Sequence, residues 1–214
     1  MSKKYPKQLS HRDLGVAIFI AEAGAVRLNT LARVLERSFQ TPLEPRGVRA
    51  LGQRLVKHGL VHKERILEGP AILYPTKEAL KLAGFRVGRG ERVNKPALAS
   101  LRHSLILAEV RLMYESKGAK WICERALREE FRDHLPDGLA EFPDRKVLIE
   151  LELTGKESNR LQNIILTNLH AGDFYLQYWT TPESFNVVEK IRKSLPKELE
   201  ERVFNHLLPE AVYV

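Results

Sequence analysis

The stretch Val147-Leu-Ile-Glu-Leu-Glu-Leu-Thr154 restricts the fold of this chain more than any other. Val147, Ile149, Leu151 and Leu153 are apolar, whereas Glu150 and Glu152 occupy alternate positions, and a period of two belongs to a strand rather than a helix. One face is expected to be core and the other wet, carrying two acids. Upstream, Gly138 to Phe142 reads as a partner strand, joined through Pro143-Asp144-Arg145, with Pro136-Asp137 at its start. The expectation is a β-hairpin with carboxylates at its mouth and along its second strand.

Around this hairpin the sequence predicts a long helix over 97–117, a short strand over Trp121 to Glu124, a helix over 157–170 and an aromatic-rich strand over 173–180. Helices over 182–193 and 196–206 and a final extended piece over 211–214 complete the half. The order across its centre is α, β, β, β, α, β.

The first half is different in charge. Residues 1–96 hold 19 Lys/Arg against 8 Asp/Glu, and residues 97–214 hold 16 against 19, so the formal +8 of the chain is concentrated at its front. Such asymmetry suggests a polyanionic partner. Ser10 can cap a helix over 11–23 with Asp13 completing a capping box, and Leu14, Ala17, Ile18 and Ala21 are its expected buried face. Thr30 can cap a second helix facing inward with Leu31, Val34 and Leu35. A third runs from Pro45 to about His58 and ends at Gly59. Its apolar set Val48, Leu51, Leu55 and Val56 leaves Arg46, Arg49, Gln53, Arg54 and Lys57 for other surfaces. A two-stranded element follows, with Lys63 and Arg65 on its first strand, and Thr76 caps a short closing helix. Residues 84–96, rich in Gly and basic residues, read as a linker between domains 1–83 and 97–214.

The front order, ending in Leu-Tyr-Pro-Thr-Lys-Glu-Ala-Leu80, resembles the winged helix-turn-helix. The resemblance implies that the third helix enters a major groove and the wing reaches adjacent backbone. Arg46, Arg49, Gln53, Arg54 and Lys57, with Lys63 and Arg65, are then the DNA-contacting residues. A winged module used only for protein contacts is the alternative.

The second half resembles the restriction-endonuclease-like, or PD-(D/E)xK, fold, giving an α+β chain of two domains. Pro136-Asp137 stands for the PD and Glu150-Leu-Glu152 for the second acid and the residue two further on, where Glu152 replaces the family's lysine. The resemblance implies a catalytic set of Asp137, Glu150, Glu152 and Lys156. Asp137 and Glu150, with Glu124 as a further candidate, would ligate Mg²⁺ or Mn²⁺, because a hard cation takes several carboxylate oxygens beside a scissile phosphate. The plainer reading makes Glu150 and Glu152 solvated strand residues.

A closer resemblance, over about residues 10–180, is to the replication-relaxation family of plasmid and mobile-element proteins. It rests on Arg102-His-Ser-Leu105, Trp121 to Glu124, Leu135-Pro-Asp-Gly138 and Glu150-Leu-Glu-Leu-Thr-Gly-Lys-Glu-Ser158 followed by Arg160. It implies participation in plasmid replication, relaxation or transfer; the expectation is a DNA-binding accessory or regulatory protein, a homodimer acting on double-stranded DNA with other replication, transfer or transposition proteins. DNA binding itself would require no cofactor. The alternatives are a metal-dependent endonuclease or nickase and a repressor with an oligomerising C-terminal domain.

Other classes lack their signatures. No apolar run reaches a membrane-spanning length, and no phosphate-binding loop or Gly-x-Ser-x-Gly elbow is present. None of the seven His forms a zinc spacing with the single Cys123. One cysteine and no apolar leader fit a cytoplasmic setting.

Overall fold

The computed structural model describes residues 8–40, 42–65, 69–88, 96–131, 133–155 and 157–209. They form a mixed α and β chain with two sheets, dividing into compact units at Ala108 and Glu109. No helix among them is long and apolar enough to cross a membrane. The division falls inside a helix, not in the 84–96 segment, of which residues 89–95 lie outside the described set. The physical reason is that Leu101 and Leu105 pack with Ala25 and Ile72, so the start of that helix belongs to the first core.

The first unit contains α1 (His11–Ala23), β1 (Val26–Arg27), α2 (Thr30–Phe39), α3 (Pro45–Lys57), β2 (Val61–Glu64), β3 (Ile72–Pro75) and α4 (Lys77–Leu82). Ser10 and Asp13 form the capping box that starts α1, each side chain accepting from the other's backbone N–H. Gly24 ends the helix at a φ of 77°, where a side chain would be strained. The buried stripe of α1 runs through Asp13, Val16, Ala17 and Ile20, whereas Leu14 and Ile18 are only half-buried. A polar residue leads the true i, i+3, i+4, i+7 set, which is why the pattern reads one step out of phase.

Asn29, not Thr30, is the N-cap of α2, and its side chain makes no capping bond. Val48, Leu51 and Leu55 of α3 are buried as expected, but Val56 is 40% exposed. Thr76 caps α4 by accepting from the Ala79 amide. The small sheet is antiparallel in the order β1-β3-β2, with His62 stacked on Tyr74 directly across the ladder at a centroid distance of 4.9 Å.

The helix α5 (Leu98–Ser116) leads into β4 (Lys120–Cys123), α6 (Glu124–Leu127), β5 (Gly138–Glu141), β6 (Lys146–Glu152), α7 (Ser158–His170) and β7 (Tyr175–Thr180). These are followed by α8 (Pro182–Ser194), α9 (Lys197–Glu200) and β8 (Val203–Leu207). The five strands lie in the order β4-β5-β6-β7-β8, antiparallel up to β6 and parallel from β6 to β8. Parallel neighbours need crossovers, which α7 and α8 supply.

One face of this sheet meets the end of α5, where Tyr114 hydrogen-bonds Gln177 and accepts from the Trp179 indole N–H. The other packs Leu148, Leu176 and Tyr178 against Leu161, Ile165 and Val188. Two expectations change here. The wet face of β6 does not exist, since every residue from Val147 to Glu152 is buried. The expected helix over 196–206 is present only as the short α9, and the rest of that range is β8, whose start is fixed by Arg202 donating to the carbonyls of Gly172 and Phe174. The short strand Lys120–Cys123 stops before Glu124, and residues 211–214 lie outside the described set.

Candidate nucleic-acid interface and a buried carboxylate cluster

Pro45 opens α3 at the position where a missing N–H costs nothing, because the first amides of a helix have no partner within it. Burying Val48, Leu51 and Leu55 turns the opposite side outward, and Arg46, Arg49, Gln53 and Lys57 are all exposed. These four recur at i, i+3, i+7 and i+11, so they form one stripe, about 16 Å long at the rise of a helix. Gly52 lets α3 come close to the chain entering α2, since a Cβ there would meet the Leu28 side chain at 2.9 Å.

Arg54 is turned the other way. Its Nη2 donates to Asp13 Oδ1 at 2.8 Å and its Nε to Oδ2 at 3.4 Å, binding α3 to the first turn of α1. Burial pushes the Asp13 carboxyl up, but the Arg54 bonds and charge, with the Ser10 bonds, outweigh it and leave the pKa below the ordinary value.

Lys63 on β2 and Arg65 just beyond it are exposed. With Arg49 they line a cleft of about 310 Å³ between α2, α3 and the strand pair, whose walls include Leu28, Leu43 and Val48. The fold thus gathers cations from two separate elements around one opening. Nothing in the linear sequence marks Arg49 as the member of the helix stripe that lines this cleft.

In the second unit, the β5–β6 register sets Gly138 opposite Ile149 and places Asp137 beside the end of β6. Asp137 Oδ2 accepts from the Leu151 amide at 2.7 Å. Glu150 is 5% exposed and Glu152 2%. Glu150 Oε1 lies 2.7 Å from His134 Nε2 and accepts from Asn168 Nδ2 at 2.9 Å. Glu152 Oε1 accepts from the Thr154 amide at 3.4 Å.

Tyr178, opposite Glu150 on β7, keeps a buried hydroxyl that makes no hydrogen bond, and Asn168 Oδ1 is likewise buried and unbonded. Burial raises the Glu150 pKa; the His134 contact opposes this, and repulsion from Asp137 adds to it. Tyr178 is raised too, by burial and then by Glu150, Glu152 and Asp137. His134 also lines a cleft of about 450 Å³ with Asp133, Thr167 and His170.

The hairpin therefore brings Asp137, Glu150 and Glu152 into neighbouring positions. Glu124 is exposed at the start of α6 and lies 3.7 Å from Arg128, and Lys156 lies outside the described residues. Among the described residues no three His, Cys, Asp or Glu side chains are gathered so as to hold a metal ion. Asp137 and Glu150 spend oxygens on protein donors.

His134 and Asn168 complete the cluster and were not singled out by the sequence. The signal for Asn168 is a polar residue on the buried stripe Leu161, Ile165, Leu169 of α7. No protein-family model matches the chain, and no curated protein matches it.

Proposed function

We propose that this chain binds double-stranded DNA through its first unit, acting as a winged helix-turn-helix, and serves as an accessory or regulatory protein of a plasmid or mobile element. The observation that carries the reading is the exposed stripe Arg46, Arg49, Gln53, Lys57 on α3, continued by Lys63 and Arg65 across the adjoining cleft. A helix of this kind fits the width of the major groove, and a row of cations along it meets phosphates on the groove's edges. Gln53, between Arg49 and Lys57 on the stripe, carries the geometry for adenine. Lys63 and Arg65 reach the neighbouring backbone as a wing does. Arg54 supports the helix from behind through Asp13 and touches no DNA.

The order α1-β1-α2-α3-β2-β3-α4 and the antiparallel β1-β3-β2 sheet support the winged assignment. For the second unit the order α5-β4-α6-β5-β6-α7-β7, in which α6 is a single short turn of four residues between the first two strands, supports a restriction-endonuclease-like core. One oxygen each of Asp137 and Glu150 is held by a protein donor, which supports a role in self-association or partner docking.

The test is fluorescence anisotropy of a labelled duplex titrated with the full chain at several salt concentrations. Tight binding that weakens steeply with salt is expected, because each phosphate contact releases a counterion. Unchanged affinity in an Arg46→Glu, Arg49→Glu double variant that remains folded would exclude the reading.

A further inference from the structure

The cleft beside α3 has a chemistry that phosphate contacts alone do not use. Its walls are aliphatic, with Leu28, Leu43 and Val48 facing about 310 Å³ of space. Arg49, Lys63 and Arg65 stand around the opening, and no carboxylate is among its described lining residues. Ala32, on the first turns of α2, forms part of the wall and leaves the volume open. Asn29 also lines it and presents a side-chain amide that caps no helix. The volume is at the small end of ligand-binding pockets, which pair an apolar lining with a few placed polar groups.

We infer that this cleft binds a small amphipathic monoanion: a compact aliphatic or aromatic body bearing one carboxylate, sulfonate or phosphate group. The body displaces water from Leu28, Leu43 and Val48, which supplies the bulk of the binding. The head group takes the cations at the rim, where a guanidinium offers paired donors to a planar or tetrahedral anion. Asn29 adds a donor and an acceptor for a polar substituent. A cationic or neutral ligand of the same shape satisfies the walls and leaves the rim unanswered, so selection for a negative charge is part of the inference.

A consequence rests on the DNA-binding reading. Arg49, Lys63 and Arg65 are the cations assigned there to phosphates, so an anion in the cleft and a duplex on α3 compete for them. Such a ligand releases the protein from DNA, and DNA weakens the ligand by the same factor.

The experiment uses the full chain and 1-anilinonaphthalene-8-sulfonate, whose fluorescence rises on burial, with uncharged N-phenyl-1-naphthylamine as the neutral probe. Saturable binding of one equivalent of the anionic probe is expected, at least tenfold tighter than that of the neutral one. Lys63→Glu with Arg65→Glu, both at exposed positions, weakens the anionic probe at least tenfold and leaves the neutral probe unaffected. Ala32→Phe fills the space and abolishes both. A probe that binds Ala32→Phe and the double variant as it binds the wild type, equal affinity for the two probes, or no saturable binding overturns the inference. Added duplex displaces the anionic probe; a duplex that binds and leaves it in place overturns the competition. If no duplex binds while the probe behaves as expected, the cleft stands and the DNA-binding reading falls.

Discussion

Arg54 and Asp13 lie 41 residues apart and meet through two hydrogen bonds, the shorter at 2.8 Å, that fasten α3 to the first turn of α1. The Asp13 side chain is 3% exposed and that of Arg54 28%. The pair thus fixes the helix that presents the exposed basic stripe. Arg54→Ala leaves a buried carboxylate without its cation and is expected to destabilise the first unit by about 2 kcal/mol. Urea denaturation followed by circular dichroism measures it, and a loss below about 0.5 kcal/mol would show the contact to be incidental.

The same pair sets an acid limit. Asp13 has a folded pKa below its unfolded value of about 3.9, so its contribution is complete above that pH and disappears as the pH falls through the folded value. The wild type should lose stability below about pH 4 more steeply than Asp13→Asn. Parallel acid limbs in urea melts of the two proteins would contradict the assignment.

Charge on the stripe should be countable. Each phosphate contact contributes about 0.9 to the slope of log K against log salt on duplex DNA. Arg46→Ala and Arg49→Ala together are expected to reduce that slope by about 1.8 and to weaken binding at low salt by about 100-fold. Lys57→Ala should remove one contact's share, and a slope indifferent to all three would place the duplex elsewhere.

Glu150 gives the opposite pH signature. Its folded pKa is raised, chiefly by burial, so its stabilising share is full below the unfolded value of about 4.3 and is lost as pH rises through the folded one. Glu150→Gln keeps an acceptor for Asn168 and cannot ionise. The stability of the wild type relative to this variant should decline as the pH rises above about 4.3. A difference that stays constant with pH would show that the carboxyl does not titrate on folding.

Tyr178→Phe removes a buried hydroxyl that bonds nothing and stands among carboxylates. It should leave stability unchanged or raise it by up to about 1 kcal/mol. A loss beyond about 1 kcal/mol would mean that the hydroxyl has a partner in solution. Supercoiled plasmid incubated with the protein and Mg²⁺ or Mn²⁺ separates the accessory reading, under which it stays supercoiled, from the endonuclease. Nicking that Asp137→Ala abolishes would restore the endonuclease reading.

The strands and helices were largely legible because their periods were clean: β6 alternates, and Val48, Leu51 and Leu55 repeat at helical spacing. Three features were not legible, each for a physical cause. Alternation tells which residues share a face and not whether the face is wet, so it points Glu150 and Glu152 to solvent although both are buried and Asn168 of α7 bonds Glu150. The β8 strand looks helical in isolation and is made a strand by its pairing with β7 and by Arg202. Arg54 carries the same charge as Arg49, and only the turn of the helix relative to Asp13 separates the supporting arginine from the outward one.

The hairpin that joins Asp137 to Leu151 closes over a short turn, whereas Glu150 and Tyr178 become neighbours only after α7 has crossed the sheet. Local closure precedes distant pairing, since a longer loop loses more entropy on closing. During refolding the acids are therefore aligned early, while still hydrated, and sealed late. Stripping water from the Glu150 carboxyl becomes part of the last step, and the final phase of refolding should quicken in Glu150→Gln, which has no charge to desolvate.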